Sequence, residues 1–405
     1  MPKRPGNYLG HYAVPPGGGN NSEKTVPGLW NTNEANILNK AGRWARVNAP
    51  VQVIPGSLYS WGYNGRGQLG DGTTTNRSIY SSASSPVDTN LWIAAAISDQ
   101  PSGHSFVILN DRTLHSAGFN NYGQLADGTL TTRSTFAPAA AGSWISCAAG
   151  SMHSLLVKSD GTLHSVGYNY IGQLGDGTTS DNSVLSQVGG DTNWANVIAS
   201  HDHSFAIKTD GTLWAWGNNT NGQLGDGSTT ARSSPVQVGS ATWTKISPNQ
   251  FHVLGIQQDG TLWAWGANGN RFGDGTTNNS STPVQIGSDT WIDIAAGQSH
   301  SVGIKSDGAL WGWGYSARGA HGSGTSTLSV PTQIGSKLDW VSVAAGSDYS
   351  EAIDSSGSRY MGGKDQTTNS NLGTFGQSEI LSSPAVIWSL VAVRNFSVLA
   401  IGNVA

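Results

Sequence analysis

A repeat of 48 to 52 residues runs through most of this 405-residue chain and constrains its fold more than any other feature. A tryptophan that opens a short apolar run recurs seven times, at Trp92, Trp144, Trp194, Trp243, Trp291, Trp340 and Trp388. We number repeats 1 to 7 by these tryptophans. An apolar residue followed by glycine also recurs seven times, from Trp61-Gly62 to Met361-Gly362. Internal repetition at a period of tens of residues is the sequence signature of solenoids and propellers.

Repeat 3 shows the predicted unit most clearly. Short runs of β-branched and aromatic residues, separated by turn residues, indicate four strands, over Trp194–Ala199, His203–Lys208, Thr212–Gly217 and 235–238. Asp210-Gly211 predicts a tight hairpin turn in which both residues have positive φ. The unit therefore predicts an all-β fold, a seven-bladed β-propeller of four-stranded blades, because radial repetition leaves only short sheet edges.

The two ends of the repeat region complement each other. The first copy begins at residues 58–62 with the third strand of a unit, whereas the last copy stops after its first two strands, at 388–393 and 396–401. We therefore predict that residues 57–61 pair with residues 396–401, so that the N- and C-terminal strands together complete one blade and close the ring. The propeller domain is predicted over residues 51–405, after an extended N-terminal arm at 1–50.

The composition argues against several classes of function. Charged residues make up only 11% of the chain, and 21 basic against 25 acidic residues leave no cationic excess to neutralise the phosphates of a nucleic acid. No apolar stretch approaches the ~20 residues of a membrane-spanning helix. Since Cys147 is the single cysteine, neither an intramolecular disulfide nor a thiolate metal cage can form. We expect no nucleic-acid partner and no membrane insertion.

Histidines and aspartates recur at fixed places in the repeat, which favours structural roles. Five histidines open the predicted second strands, at His104, His153, His203, His252 and His300. Equivalent positions in a propeller are spread around the axis, so we predict one structural hydrogen bond per blade rather than a shared metal ion. Each Asp-Gly turn in the loops supplies one carboxylate, which is too few for calcium and typical of a turn. No nucleophile–base set, phosphate loop or metalloprotease motif is present, so we predict no cofactor and no enzymatic activity.

The loops after the third strands carry a recurring motif. It reads Gly-Gln-Leu-Gly at residues 67–70, 172–175 and 222–225, and Gly-Gln-Leu-Ala at 123–126. With the period, it resembles the regulator of chromosome condensation repeat, which implies a seven-bladed propeller over about residues 51–405. The founding member of that family is a guanine-nucleotide exchange factor for a nuclear GTPase, but the repeat occurs in many unrelated roles. The chain departs from the motif at 270–273, at 319–322 and after Met361.

Loop residues that differ between repeats are candidates for a binding surface. Aromatic, asparagine and arginine side chains there combine apolar faces with polar edges, which suits a host-surface glycan or a protein ligand. The candidates are Arg66, Tyr122, Tyr170, Asn221, Arg271 and Arg318. A second set shares one position after the third strand and is predicted to pack between blades, namely Tyr63, Phe119, Tyr168 and Tyr315. Tyr170 stands at an otherwise polar position and is predicted to be exposed.

Residues 1–50 lie outside the repeat and are rich in glycine, proline and asparagine, which is typical of an extended arm. Asn31 and Glu34 form a capping-box pattern and predict one short helix near residues 31–41. Because such a helix is too short to be stable alone, it must dock on another protein or on its own propeller. The residues predicted to anchor it to another protein are Leu29, Trp30, Ile37, Leu38 and Trp44.

The segment from Gly28-Leu29-Trp30 to Trp44 looks like a short segment of structural proteins in tailed bacteriophages. That resemblance implies a non-enzymatic virion structural protein, whose arm binds other virion proteins while the propeller is displayed on the phage particle. A tail fibre, a tail-associated adhesin and a head decoration all fit this description. Two alternatives come from another class of protein. They are a cellular protein–protein interaction module and a propeller that acts like a guanine-nucleotide exchange factor.

Overall fold

The computed structural model describes residues 54–55, 57–82, 91–98, 103–316, 318–324, 326–363, 375–377, 386–394 and 397–404. These residues form an all-β fold of antiparallel sheets, and no helix occurs among them. The predicted arm at 1–50, with its helix near 31–41, lies outside the described residues.

Repeats 1 and 2 each fold into a sheet of four consecutive strands. The strands of repeat 1 are Leu91–Ile97, His104–Leu109, Leu114–Gly118 and Arg133–Pro138. Those of repeat 2 are Trp144–Ala149, His153–Lys158, Leu163–Gly167 and Asn182–Gln187. Ile54–Pro55 joins the first sheet by pairing antiparallel with Leu91–Ile97.

Repeats 3 to 5 are linked by two long strands. Arg232–Pro248 pairs with the third strand of repeat 3 through its first half and with the second strand of repeat 4 through its second half. Ser280–Ala296 links repeats 4 and 5 in the same way. The predicted strand at 235–238 was therefore too short, because the chain stays extended into the next repeat. The remaining strands are Trp194–Ala199, His203–Lys208, Thr212–Gly217, His252–Gln257, Thr261–Gly266, His300–Lys305, Leu310–Gly314 and Leu328–Gln333.

One sheet combines the two ends of the chain, and we call it the joint sheet. Its strand order is Val386–Arg394, Ser397–Val404, Ser57–Gly62 and Arg77–Ser82. Ser57 lies opposite Gly402, and Gly62 lies opposite Ser397, in antiparallel register. This is the strand pairing that the complementary ends predicted. Repeat 6 lies next to it along the chain and contains Trp340–Ala345, Tyr349–Asp354, Arg359–Gly363 and Gly376–Gln377.

A buried ion pair of repeat 6 contacts the joint sheet. Arg359 donates from Nε and Nη2 to the two carboxylate oxygens of Glu351 at 2.8 and 2.7 Å. The same guanidinium lies 4.4 Å from the ring centroid of Trp61 in the joint sheet. Trp61 also packs with Tyr349 and Met361 of repeat 6 in one core cluster. The strand Ser57–Gly62 therefore contacts residues that lie almost 300 positions further along the chain.

The hydrophobic core lies between neighbouring sheets. Phe205 and Leu224 of repeat 3 pack against Trp243 and Trp265 of repeat 4. The buried indole of Trp265 donates to a loop carbonyl of the preceding repeat, as buried indoles usually require a partner. The first strands of repeats 1 to 6 line one central cavity of about 230 Å³, mostly with alanine, valine and isoleucine. The sheets are therefore arranged around a common axis.

The Asp-Gly hairpin turns differ from the predicted type. Gly211 has a φ of 83°, but Asp210 is not among the described residues with positive φ. The Gly211 N–H donates to the carbonyl of Lys208 at 2.9 Å, so the turn contains a single left-handed residue. The physical reason is the Asp210 carboxylate, which accepts hydrogen bonds from the Thr212 N–H at 2.9 Å and the Thr212 hydroxyl at 2.7 Å. These bonds hold Asp210 in an ordinary turn conformation.

Candidate binding surface

The loops after the third strands share one internal framework. In repeat 3 the buried Asn219 donates from Nδ2 to Asp226 Oδ1 at 3.1 Å and accepts the Leu224 N–H at 2.9 Å. Asp226 in turn accepts from the backbone and hydroxyl of Ser228 and pairs with Arg232 at 2.7 Å. Burial alone would raise the pKa of Asp226, but these hydrogen bonds outweigh it and lower the pKa. The equivalent asparagines are Asn64, Asn120, Asn169 and Asn268. These contacts confirm the predicted turn-forming role of the loop aspartates.

The glutamine of each Gly-Gln-Leu motif ties its loop to the next repeat. The Gln223 side chain accepts the Asn221 N–H at 2.8 Å, and the Gln223 carbonyl accepts the indole N–H of Trp265 at 2.9 Å. In the preceding repeat, the carbonyl of Gln173 accepts from Trp216 at 2.9 Å and from the Ser204 hydroxyl at 2.8 Å. The loops are therefore rigid supports for the side chains at their tips.

The predicted histidine hydrogen bond joins neighbouring repeats. His104 Nε2 lies 2.7 Å from Ser154 Oγ, and Ser154 donates its hydroxyl proton to the Gln124 carbonyl at 2.7 Å. The same histidine–serine contact joins His153 to Ser204, His252 to Ser301 and His300 to Ser350, at 2.9, 3.0 and 2.7 Å. The structural hydrogen bond predicted once per blade is confirmed at these four histidines.

The geometry also determines the protonation of these histidines. Because the single hydroxyl proton of Ser154 points to a carbonyl, His104 must donate from Nε2, and its Nδ1 carries no proton. Burial lowers the pKa of His104 and His300 to about 3 and that of His153 to about 4. The rings are therefore neutral at pH 7 and belong to the framework. Among the described residues, no group of three histidine, cysteine, aspartate or glutamate side chains could hold a metal ion.

Side chains from three consecutive loops form a continuous surface feature, which we call the aromatic strip: Arg66, Phe119, Tyr122, Tyr168 and Tyr170. The Arg66 guanidinium lies 5.2 Å from the Phe119 ring centroid. The rings of Phe119 and Tyr122 meet edge to face at 6.5 Å, and those of Tyr122 and Tyr168 at 5.2 Å. The rings of Tyr168 and Tyr170 lie 6.5 Å apart and only 20° from parallel. The structure thus brings together three of the six predicted ligand residues.

The exposure of the loop aromatics agrees with the predictions at two positions and differs at a third. Tyr170 is 73% exposed and Phe119 only 8% exposed, as predicted. Tyr315 is 54% exposed, so the prediction that it packs between blades is wrong. Arg66 of the preceding loop covers Phe119, whereas the loop before Tyr315 is one residue shorter and its Arg271 donates to the Gln298 carbonyl.

That arginine, Arg271, occupies the framework position of the motif glutamine, which corrects its predicted place on the ligand surface. Its carbonyl accepts the Trp313 indole N–H at 2.7 Å, and its Nε donates to the Gln298 carbonyl at 3.0 Å. The deletion of one loop residue shifts it into this position, and burial lowers its pKa. Of the other two candidates, Asn221 is half-buried, and Arg318 lies 3.8 Å from Asp348.

Leu29, Trp30, Ile37, Leu38 and Trp44 lie outside the described residues. In the part of the chain that the structure describes, no helix has the length and apolar character needed to cross a bilayer.

Comparison with known families identifies the repeat. The model of the regulator of chromosome condensation (RCC1) repeat matches residues 55–90, 210–256, 259–304 and 307–353. A second RCC1 repeat model matches residues 291–320. The matches support the resemblance that the loop motifs and their period indicated.

Solved structures with a similar fold include RCC1-like propellers. The chain is similar to Prp20p from Saccharomyces cerevisiae, with a TM-score of 0.77 and 18% identity over 94% of this chain and 97% of that one. Yeast RCC1 (Prp20) bound to Kap60 gives a TM-score of 0.76 and 18% identity over 95% of each chain. Human WBSCR16 gives 0.75 and 17% identity over 86% of this chain and 99% of that one. At such identities the likeness shows the fold alone, and it gives no support to the phage resemblance of residues 28–44.

Proposed function

We propose that this chain, which carries regulator of chromosome condensation repeats on an RCC1-like propeller, is a protein-interaction module that binds its partner through the loop face. The observation that carries the proposal is the aromatic strip. Aromatic and arginine side chains are enriched at the energetic centres of protein interfaces. Tyr170 presents a ring that is 73% exposed on a loop held by buried hydrogen bonds. Such a preorganised ring loses little conformational entropy on binding.

The similar structures support the class of function and no particular partner. Prp20p has been described together with its binding to Gsp1p and histones, and yeast RCC1 in a complex with Kap60. Those partners belong to those proteins. What this proposal takes from them is protein binding by an RCC1-like propeller. We propose binding without catalysis, because the loop-face side chains form stacked rings and hydrogen-bonded pairs rather than a convergent nucleophile, base and orienting group.

We further propose that seven blades form a ring closed by the joint sheet. The sequence count of seven repeats, the register of Ser57–Gly62 on Ser397–Val404 and the contact of Arg359 with Trp61 support this architecture. Removing the last ten residues, 396–405, would delete the whole strand Ser397–Val404. We expect such a variant to lose the cooperative unfolding transition of the whole domain. A truncated protein with the native melting temperature would contradict closure.

The binding surface can be tested with a matched pair of variants. Tyr170→Ala removes the exposed ring of the strip, whereas Val184→Ala removes a 66% exposed side chain from an outer strand. Partners captured by the wild-type protein are identified and purified, and their Kd is measured for each variant. We expect Tyr170→Ala to raise the Kd about tenfold, a typical cost of losing an aromatic anchor, and Val184→Ala to leave it unchanged. A partner that binds both variants equally well would contradict the strip as its binding site.

A finer proposal places the protein in the particle of a tailed bacteriophage, with its arm bound to other virion proteins. Its basis is the composition of residues 1–50 and the segment at 28–44. Deletion of residues 1–45 should leave a folded propeller that no longer enters particles, and normal incorporation would refute the anchoring role. On a phage surface the strip would face a host glycan or protein, and loss of glycan binding in Tyr170→Ala would favour the glycan.

A further inference from the structure

We propose that one end of the aromatic strip, formed by Tyr122, Tyr168 and Tyr170 together with Asp181, receives an arginine side chain of the partner protein. This inference rests on the proposed function and deepens it, because it names the chemical group that the loop face recognises. Its basis is a contrast between this end of the strip and two other aromatic rings of the same face, Phe119 and Phe251.

Two other aromatic rings of the loop face, those of Phe119 and Phe251, carry a guanidinium of the chain itself. Arg66 lies 5.2 Å from the centroid of Phe119, and Arg271 lies 5.4 Å from that of Phe251. The described residues place no such cation over the three tyrosines. The negative face of an aromatic ring attracts a cation, and most strongly where neighbouring groups exclude water. The tyrosine end of the strip therefore offers a cation a site of the kind that arginines of the chain itself occupy at Phe119 and Phe251.

Asp181 supplies a negative charge that its loop does not require. Its Oδ1 accepts the N–H of Asn169 at 2.8 Å. In two other loops the side chains of Asn76 and Asn279 accept the equivalent N–H, each at 2.9 Å. A neutral amide thus performs the same structural role. The charge at position 181 is additional, and the exposed Asp181 makes no other side-chain hydrogen bond within the described part of the chain.

The carboxylate of Asp181 lies beside the tyrosines, because it accepts the N–H of Asn169, which stands between Tyr168 and Tyr170 in the chain. Burial raises the pKa of the Tyr168 hydroxyl, and the charges of Asp181 and Asp202 raise it further. Asp202 is already engaged, since its Oδ2 lies 2.7 Å from His201 Nδ1. Asp181 is therefore the carboxylate that remains available to a ligand.

These groups favour arginine over other occupants. A guanidinium can stack its plane on an aromatic ring and donate N–H groups to a carboxylate at its edge, whereas an ammonium is a compact, strongly hydrated charge. A neutral sugar would make no use of the charge at Asp181, and an acidic segment would be repelled by it. Arginine is also the residue with which the chain itself covers Phe119 and Phe251.

The inference can be tested with the full chain and a blocked Gly-Gly-Arg-Gly-Gly peptide. Matched peptides carry lysine or citrulline in place of arginine, and binding is followed by NMR of the ¹³C-labelled tyrosine rings. We expect the arginine peptide to shift the Tyr168 and Tyr170 resonances and to bind at least threefold more tightly than either analogue. Asp181→Asn keeps the loop hydrogen bond, so it should weaken the arginine peptide about threefold without changing the melting temperature. Tyr315→Ala, which removes another exposed loop tyrosine, is the control and should change nothing.

The outcomes separate this inference from the function on which it rests. Equal binding of the arginine and citrulline peptides, tighter binding of the lysine peptide, or wild-type binding by Asp181→Asn would each overturn the inference. A partner whose Kd still depends on Tyr170 would then uphold the proposed function. Conversely, a partner that is indifferent to Tyr170→Ala would overturn the proposed function even where the arginine peptide binds the tyrosines.

Discussion

The framework of the loop face and the tips of its loops differ in burial and in regularity. His153, Gln173 and Asn169 are almost completely buried, and their hydrogen bonds recur from repeat to repeat. Tyr170 and Tyr315 at the tips are largely exposed and have no common partner. The comparison teaches that the buried residues at equivalent positions of the repeats stabilise the fold. The exposed residues at positions where the repeats differ are those available to bind a partner. Substitutions in the framework should therefore lower the free energy of unfolding, and substitutions at the tips should not.

Lowering the pH tests the framework as a whole and should have the largest effect. The folded-state pKa values of His104, His153 and His300 are about 3, 4 and 3, well below the value of 6.5 for an exposed histidine. The stability that depends on their neutral form is complete above pH 6.5 and is lost as the pH falls toward the folded-state values. Each histidine should cost about 1.4 kcal/mol per pH unit in this window.

Urea denaturation at pH 6.5 and pH 5 measures this effect. The three histidines together should lower the free energy of unfolding by about 5 kcal/mol, because half of each unfolded-state histidine is already protonated at pH 6.5. In His153→Gln the same pH change should cost about 2 kcal/mol less. A stability that stays constant between these pH values would show that the rings are not held neutral by the fold.

Glu351→Ala tests the fastening of the joint sheet. It leaves the guanidinium of Arg359 buried without its carboxylate, which typically costs about 3–5 kcal/mol. The matched control is Asp191→Ala, which breaks the pair between Lys208 and the 56% exposed carboxylate of Asp191. We expect the control to cost less than about 1 kcal/mol. Equal denaturation midpoints of the two variants would show that the buried pair does not hold the sheet.

Ser154→Ala tests a single connection between repeats. It removes the partner of His104 Nε2 and of the Gln124 carbonyl, so two buried polar groups lose a hydrogen bond. We expect a loss of about 2 kcal/mol in the free energy of unfolding. Ser240→Ala, at an exposed serine, should leave the midpoint of urea denaturation unchanged.

Ala126→Gly tests the framework by a substitution that should increase the free energy of unfolding. Ala126 has a φ of 57°, in the left-handed region where the equivalent Gly175 and Gly225 lie. Relieving this conformation should raise the free energy of unfolding by about 1 kcal/mol. Ala117→Gly, in the strand Leu114–Gly118, is the control and should lower it. A lower melting temperature in Ala126→Gly would show that the alanine side chain contributes more by packing than its backbone costs.

Tyr170→Ala should have the smallest effect on stability. Its exposed ring makes one stacking contact, with Tyr168, so the change in the free energy of unfolding should stay within about 0.5 kcal/mol. Thermal unfolding measures it, and a loss above 2 kcal/mol would place Tyr170 in the framework. The claim that loop-tip residues contribute little to stability would then be wrong for Tyr170, the residue on which the proposed binding surface depends.

Much of the fold could be predicted because each repeat restates the same pattern. The strand runs of repeat 3, the pairing of the chain ends and the structural role of His104 all follow from residue type and spacing. The partner of His104 could not be predicted, because Ser154 lies fifty residues further along and meets it only when two sheets pack. The place of Arg271 was missed for a related reason. A one-residue deletion moves it into the framework, and loop length alone does not say which residue shifts.

The sequence by itself determined the all-β class, the four-stranded unit and the positions of the turns, because these depend on local residue preferences repeated at a constant period. Only the tertiary structure decided which loop aromatics meet. Tyr122 and Tyr168 come from different loops, and their rings touch because neighbouring sheets pack side by side. It also decided that Arg66 covers one end of the strip, while Asp181 lies beside the other and accepts the N–H of Asn169. A contact between sheets depends on how far apart their side chains lie after packing, and the spacing of residues along the chain does not specify that distance.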